Sequence, residues 1–184
     1  MIFLSSNEVF DGLHLKVKAN ATKRPRSEYG RQKSEIENRI QEHINNYYII
    51  RLTKVIFSND RIFQTWCSKL KRSEIIEPFH DLLLSPISLS AVEEMITKVI
   101  ISEKSHSRIL QLSANKDFSY ADAAYHLADI LKVNPNLVRP KSGKGIVESK
   151  RLLRFTSLEN SFSNTHFGSS GLEALNIFAK NSFN

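Results

Sequence analysis

The sequence is poor in the residues that build staples, linkers and metal cages. Its 184 residues include one cysteine, five prolines and six glycines. A single thiol, Cys67, excludes an intrachain disulfide and any cysteine-based zinc site, and suits a reducing compartment. Its neighbourhood, "FQTWCSKL", is apolar at helical spacing, so Cys67 is expected to be a buried, inert thiol. So few glycines and prolines exclude a low-complexity or linker-rich chain. No apolar run approaches the roughly 20 residues of a membrane span, and "MIFLSSNEVF" has neither the basic start nor the apolar length of a signal peptide. The expectation is a soluble, cytoplasmic protein with no membrane partner. The histidines, His14, His43, His80, His106, His126 and His166, form no His-Glu-x-x-His. His126 and Asp129 would share a helix face, but two ligands do not make a metal site. The phosphate loop Gly-x4-Gly-Lys-Ser/Thr is absent, and so is a Gly-x-Ser-x-Gly elbow, leaving Ser169 and Ser170 without a nearby base in sequence. No metal, cofactor or catalytic residue is expected on these grounds.

Positive charge, by contrast, is plentiful and unevenly placed. The formal net charge is +7 and the isoelectric point about 9.5. One basic block holds Lys16, Lys18, Lys23, Arg24, Arg26, Arg31 and Lys33 against Glu28. A second holds Arg139, Lys141, Lys144, Lys150, Arg151 and Arg154 against Glu148, and the rest of the chain is net acidic. Such clustering is expected of a surface that meets polyanions.

With 41% hydrophobic and 24% charged residues, the chain reads as globular. Asp11-Gly12 is a type I′ turn sequence, and Leu13, Leu15, Val17 and Ala19 alternate with polar residues after it, which predicts a short β-hairpin. Ser34 with Glu37, Ser90 with Glu93, Ser119 with Asp122, Thr156 with Glu159 and Ser170 with Glu173 have capping-box spacing. Ser58-Asn59-Asp60 offers a further cap before Ile62, Phe63, Trp66 and Leu70. The run "YYIIRLTKVIF" suits either a helix or a buried strand. "SHSRILQLSA" and "VESKRLLRF" read as helices, the latter with Lys150, Arg151 and Arg154 on one face. "NSFSNTHFGSSG" reads as a loop. The predicted fold class is therefore mainly α (α+β): residues 1–33 form the hairpin and a basic arm, and residues 34–184 a multi-helix domain.

Residues 127–139, "LADILKVNPNLVR", resemble the repressor-like helix-turn-helix family. Ala128 stands at the small contact position, Lys132 where the family prefers glycine, Val133 at the turn anchor and Val138 inside the second helix. Asn134 and Pro135 suit a helix start, while Pro140 limits that helix to little more than one turn.

The resemblance implies a non-catalytic DNA-binding regulator, with double-stranded DNA favoured over RNA. Lys23, Arg24, Arg26, Arg139, Lys141, Lys144, Lys150, Arg151 and Arg154 would meet phosphates, and Asn134, Asn136 and Arg139 would reach base edges. A homodimer through Ile36 to Val55 is compatible with this. The alternative is a protein-interaction module that docks an acidic partner. A third reading is a Mg²⁺-dependent nuclease using Glu148 and Lys150 with Asp122 or Asp129.

Overall fold

The computed structural model describes residues 1–101, 107–149, 152–161 and 171–183. The chain opens on a strand, β1 (Ile2–Ser6), followed by one 3₁₀ turn. An irregular segment then leads to helix α1 (Glu28–His43). Strand β2 (Tyr48–Leu52) returns beside β1 and parallel to it, with Ser5 opposite Arg51. This is a β-α-β unit, whose parallel strands need a helical crossover.

After β3 (Val55–Ile56) and α2 (Arg61–Lys71) come the short strands β4 (Leu83–Leu84) and β5 (Ile87–Ser88). Helix α3 (Leu89–Ile101) then precedes β6 (Ile109–Leu112), which pairs parallel with β2. The main sheet therefore runs β1-β2-β6, all parallel. One face carries Ile50, Leu52, Leu110 and Leu112 against Val92, Met95 and Val99 of α3. On the other face, α1 packs against β1.

The second half adds β7 (Phe118–Ser119), antiparallel to β4, and helices α4 (Tyr120–Ile130), α5 (Lys144–Glu148) and α6 (Gly171–Phe183). Phe63, Cys67, Leu127, Leu175 and Phe178 from α2, α4 and α6 form a separate apolar cluster. Cys67 is buried within it, and burial pushes its thiol up to about 11. No helix among the described residues is long and apolar enough to cross a membrane.

The mainly helical architecture expected from the sequence is overturned: the body is built on a parallel sheet with helices on both faces. Three local reasons account for it. Parallel strands buried on both faces read as continuous apolar runs, so "YIIRL" and "ILQL" carry no alternation to separate them from helix. The expected hairpin does not form: Leu13 and Leu15 stay 50% and 49% exposed, and the segment pairs instead with the second half, through a bridge from Val17 to Leu158 and a bond from the Phe155 amide to the Gly12 carbonyl at 3.0 Å. Of the five capping-box spacings, Ser119 with Asp122 makes both reciprocal bonds. Ser34 lies inside α1, whose cap is Ser27. Thr156 instead accepts from the Ser85 amide at 3.0 Å. Ser170 and the expected loop segment 162–170 lie outside the described residues, as do His106 and His166.

Candidate active site

A cleft of about 520 Å³ opens at the carboxyl ends of β1 and β2. In open parallel sheets this is where ligands bind. Ser5, Ser6, Asn7 and Glu8 line it from the end of β1, and Thr53 and Lys54 from the end of β2. Tyr29 and Lys33 line it from α1, and Tyr120, Leu152, Leu153 and Thr156 from the second half.

Local chemistry fixes the start of α1. Ser27 caps it by accepting from the Gly30 amide at 3.0 Å, and its own hydroxyl donates to Glu8 Oε2 at 2.5 Å. Glu28 in the first turn complements the helix dipole. Gly30 permits the close approach: a Cβ there would lie 2.1 Å from the Glu8 carbonyl oxygen. The first turn is thereby seated on the chain leaving β1, and Tyr29 is held over that strand's end.

Lys33 follows Tyr29 by four residues, so the two share one face of α1. The Lys33 ammonium donates to the Leu4 carbonyl at 2.9 Å, and sits 4.7 Å from the Phe3 ring centroid and 5.6 Å from that of Tyr29. The Tyr29 phenol is held above its ordinary value, chiefly by burial and then by the charge of Glu8, while a hydrogen bond with Ser6 pulls the other way. The cleft thus brings a neutral phenol, a serine hydroxyl and an ammonium into one place. That set can deliver a proton to a carbonyl oxygen and stabilise the phenolate left behind.

Sequence reasoning missed Tyr29, Lys33 and Ser6, since charge counting registers Lys33 only as part of a basic block. The signal that points to them is Ser27 as a helix cap followed by Tyr29-x3-Lys33. That spacing puts an acid and a cation on one helix face directly after a parallel strand.

The residues expected to meet phosphate are spread over several elements. Lys23 is tied inward, 3.2 Å from Glu37 and 2.6 Å from Asn38 Oδ1. The Arg24 side chain is exposed, and Arg26 donates to the Val147 carbonyl at 2.8 Å, joining the first basic block to the second. Asn134 caps a 3₁₀ turn by accepting from the Asn136 amide at 2.9 Å. Arg139 and Arg154 are exposed, Arg154 stacking 5.1 Å from the Phe155 ring centroid. Lys141 pairs with Glu77 at 3.0 Å and Lys144 with Glu148 at 4.0 Å. Lys150 and Arg151 lie outside the described residues.

A parallel sheet wound on both faces, with a tyrosine-lysine pair in the crevice at its carboxyl end, defines a Rossmann-like α/β protein. The chain belongs to the family described as the RmlD substrate binding domain, whose model matches residues 1–170. No curated protein matches it. Among solved structures it is similar to a dTDP-4-dehydrorhamnose reductase from Bacillus anthracis in complex with NADP. That match is 20% identical with a TM-score of 0.83, covering 96% of this chain and 64% of that one. The orthologue from Clostridium acetobutylicum is also 20% identical, with a TM-score of 0.84 over 97% of this chain and 64% of that one. A dTDP-glucose 4,6-dehydratase from Bacillus anthracis, in complex with NAD, is 10% identical with a TM-score of 0.75 over 98% and 61%. At these identities the likeness shows the fold alone. The chain spans about 64% of the length of the reductases it matches.

The family overturns the DNA-binding regulator, and the helix-turn-helix resemblance falls with it. After α4 the chain turns at Lys132, where φ is +54°, and makes only a 3₁₀ turn over Pro135–Leu137. Val138 then runs extended and bridges to Ile76, so no second helix exists to enter a groove. No nucleic-acid partner is supported, and neither alternative fares better. Glu148 ends the short exposed helix α5, and the described residues contain no group of three ligands able to hold a metal.

Proposed function

We propose that this chain forms the substrate-side half of a nicotinamide-dependent reductase acting on the ketone of a sugar nucleotide, in the cytoplasm. The observation that carries the reading is the placement of Tyr29, Lys33 and Ser6 in one cleft at the carboxyl ends of parallel strands. The names of the similar structures, reductases of a dTDP-linked dehydro sugar, supply the substrate class.

Reducing a ketone delivers a hydride to carbon and a proton to oxygen. The Tyr29 hydroxyl gives that proton, the Ser6 hydroxyl donates a second hydrogen bond to the same oxygen, and the Lys33 ammonium stabilises the resulting phenolate. A nicotinamide dinucleotide supplies the hydride when bound. The residues present fit its nicotinamide-ribose end: an ammonium carries three donors, and Lys33 uses one on the Leu4 carbonyl. Among the described residues there is no phosphate cradle. Gly143 and Gly145 are the only closely spaced pair of glycines outside 162–171, and Glu148 stands where a third would be needed.

Leu152, Leu153 and Thr156 line the cleft, and the exposed Arg154 lies between them in the sequence. The phosphate-binding role expected of Arg154 is then met by the diphosphate of the sugar nucleotide. Calorimetric titration with a dTDP-hexose and with the free hexose tests the reading. Binding of the nucleotide-linked sugar, weakened about tenfold or more in Arg154→Ala, is the expected result. Failure of the wild type to bind either compound contradicts it.

A further inference from the structure

Ser5, Arg51 and Gln111 lie opposite one another on three adjacent strands, forming a buried polar row on the α1 face of the sheet. Two of them meet a carboxylate that is itself fully buried, Glu37 of α1. Glu37 Oε1 accepts from Ser5 Oγ at 2.6 Å and from Arg51 Nε at 2.9 Å. Its Oε2 accepts from Arg51 Nη2 at 2.7 Å and from Lys23 at 3.2 Å. Arg51 also donates through Nη1 to the Ala19 carbonyl at 2.8 Å, and its guanidinium lies 5.0 Å from the Phe10 ring centroid. Helix, two strands and the long connection between them converge on one carboxylate.

An ion pair this deeply buried is a poor device for stability, because desolvation offsets most of its attraction and apolar residues of similar volume often serve as well. What it does fix is register. Glu37 lies one helical turn beyond Lys33, which lies one turn beyond Tyr29. Ser5 immediately precedes Ser6 on β1. Sliding α1 along the sheet would break the fork of Arg51 onto both carboxylate oxygens, and the Ser5 bond with it.

We propose that Glu37 and Arg51 are positioning residues, which lock α1 onto β1 so that Tyr29 and Lys33 face Ser6 across the cleft. This rests on the reading of that cleft as a reducing site, but its test does not need turnover. The groups facing the phenol are Glu8 on the chain after β1, Ser6 on β1 and Lys33 on α1. A shift of the helix alters all of these contacts at once.

The experiment is a carbon-13 NMR titration of ring-labelled tyrosines, with Tyr29 assigned from Tyr29→Phe, on the wild type and on Glu37→Met/Arg51→Met. The double variant removes both charges at similar volume. It is expected to melt within a few degrees of the wild type, while its Tyr29 midpoint falls toward the ordinary 10.0. Turnover of a dTDP-linked keto sugar falls about a hundredfold at similar KM, the effect of a misplacement of about 1 Å. Ser5→Ala, a milder variant that removes only the bond from the strand, moves the midpoint the same way by less. A folded double variant whose Tyr29 titrates as in the wild type overturns the proposal, as does an unaltered midpoint in Ser5→Ala should the double variant not fold. A wild type that binds both compounds without turnover removes the reductase reading, and the titration still decides the positioning role.

Discussion

Lys33 stands one helical turn beyond Tyr29 with its ammonium 5.6 Å from the phenol ring centroid, anchored at 2.9 Å on the carbonyl of Leu4. The anchor matters because Leu4 precedes Ser5 and Ser6 on the same strand. One cation thus ties the helix that carries the acid to the strand that carries the second hydroxyl, at the mouth of the cleft.

The same seating makes Gly30→Ala costly. In an ordinary helix interior this change stabilises by up to about 1 kcal/mol. Here the new Cβ would lie 2.1 Å from the Glu8 carbonyl oxygen and 2.9 Å from its carbon, both backbone atoms unable to move aside cheaply. The expected outcome is a loss of about 1–3 kcal/mol in chemical denaturation, together with a displaced Tyr29 resonance. A neutral or stabilised Gly30→Ala would show that α1 does not sit this close to β1.

Glu8→Gln tests the electrostatics of the phenol. Burial and then the charge of Glu8 hold the Tyr29 proton on, against the hydrogen bond from Ser6. Removing the charge while keeping the side chain's shape is expected to lower the Tyr29 midpoint, read by NMR titration. An unchanged or higher midpoint would mean that Glu8 does not act on the phenol.

Alkali should erode stability through two buried acids. Burial pushes Tyr120 up to about 12 from 10.0, with the Asp60 charge adding to it, and Cys67 up to about 11 from 9.0. The unfolded chain ionises first, so stability is fully present below pH 9 and is lost as pH rises through 9 to 12. Holding each proton on this firmly corresponds to about 2–3 kcal/mol per group. Denaturation curves across this range should show the loss, roughly halved in a Tyr120→Phe variant. A stability that stays flat from pH 9 to 12 would mean that neither group is neutral by burial.

Parts of this architecture were legible from residue order alone. Asp60 caps α2 and Ser119 caps α4, both as the side chains dictate, and Cys67 is buried and inert in the helix its neighbours describe. What the residues could not convey was pairing. Ile109 to Leu112 is a four-residue run too short to show a period, and becomes a strand only because Ile49 to Leu52 lies beside it. The basic blocks misled for a related reason. Lys23 and Arg26 turn inward to Glu37 and Val147, contacts set by tertiary structure that charge counting cannot see. The site itself rested on Tyr29-x3-Lys33, which gains meaning only once β1 is placed beneath it.

Tyr29 acting as the acid of a ketone-reducing site is tested by turnover. The wild type and Tyr29→Phe are each given a dTDP-linked 4-keto sugar with reduced nicotinamide dinucleotide phosphate in large excess, because the described residues offer its phosphates no cradle, and oxidation of the dinucleotide is followed by absorbance. Turnover in the wild type is expected, with a loss of about 10²–10⁴-fold in Tyr29→Phe and sugar-nucleotide binding retained. Equal turnover in the two proteins, or none in a wild type that binds both compounds, would contradict it.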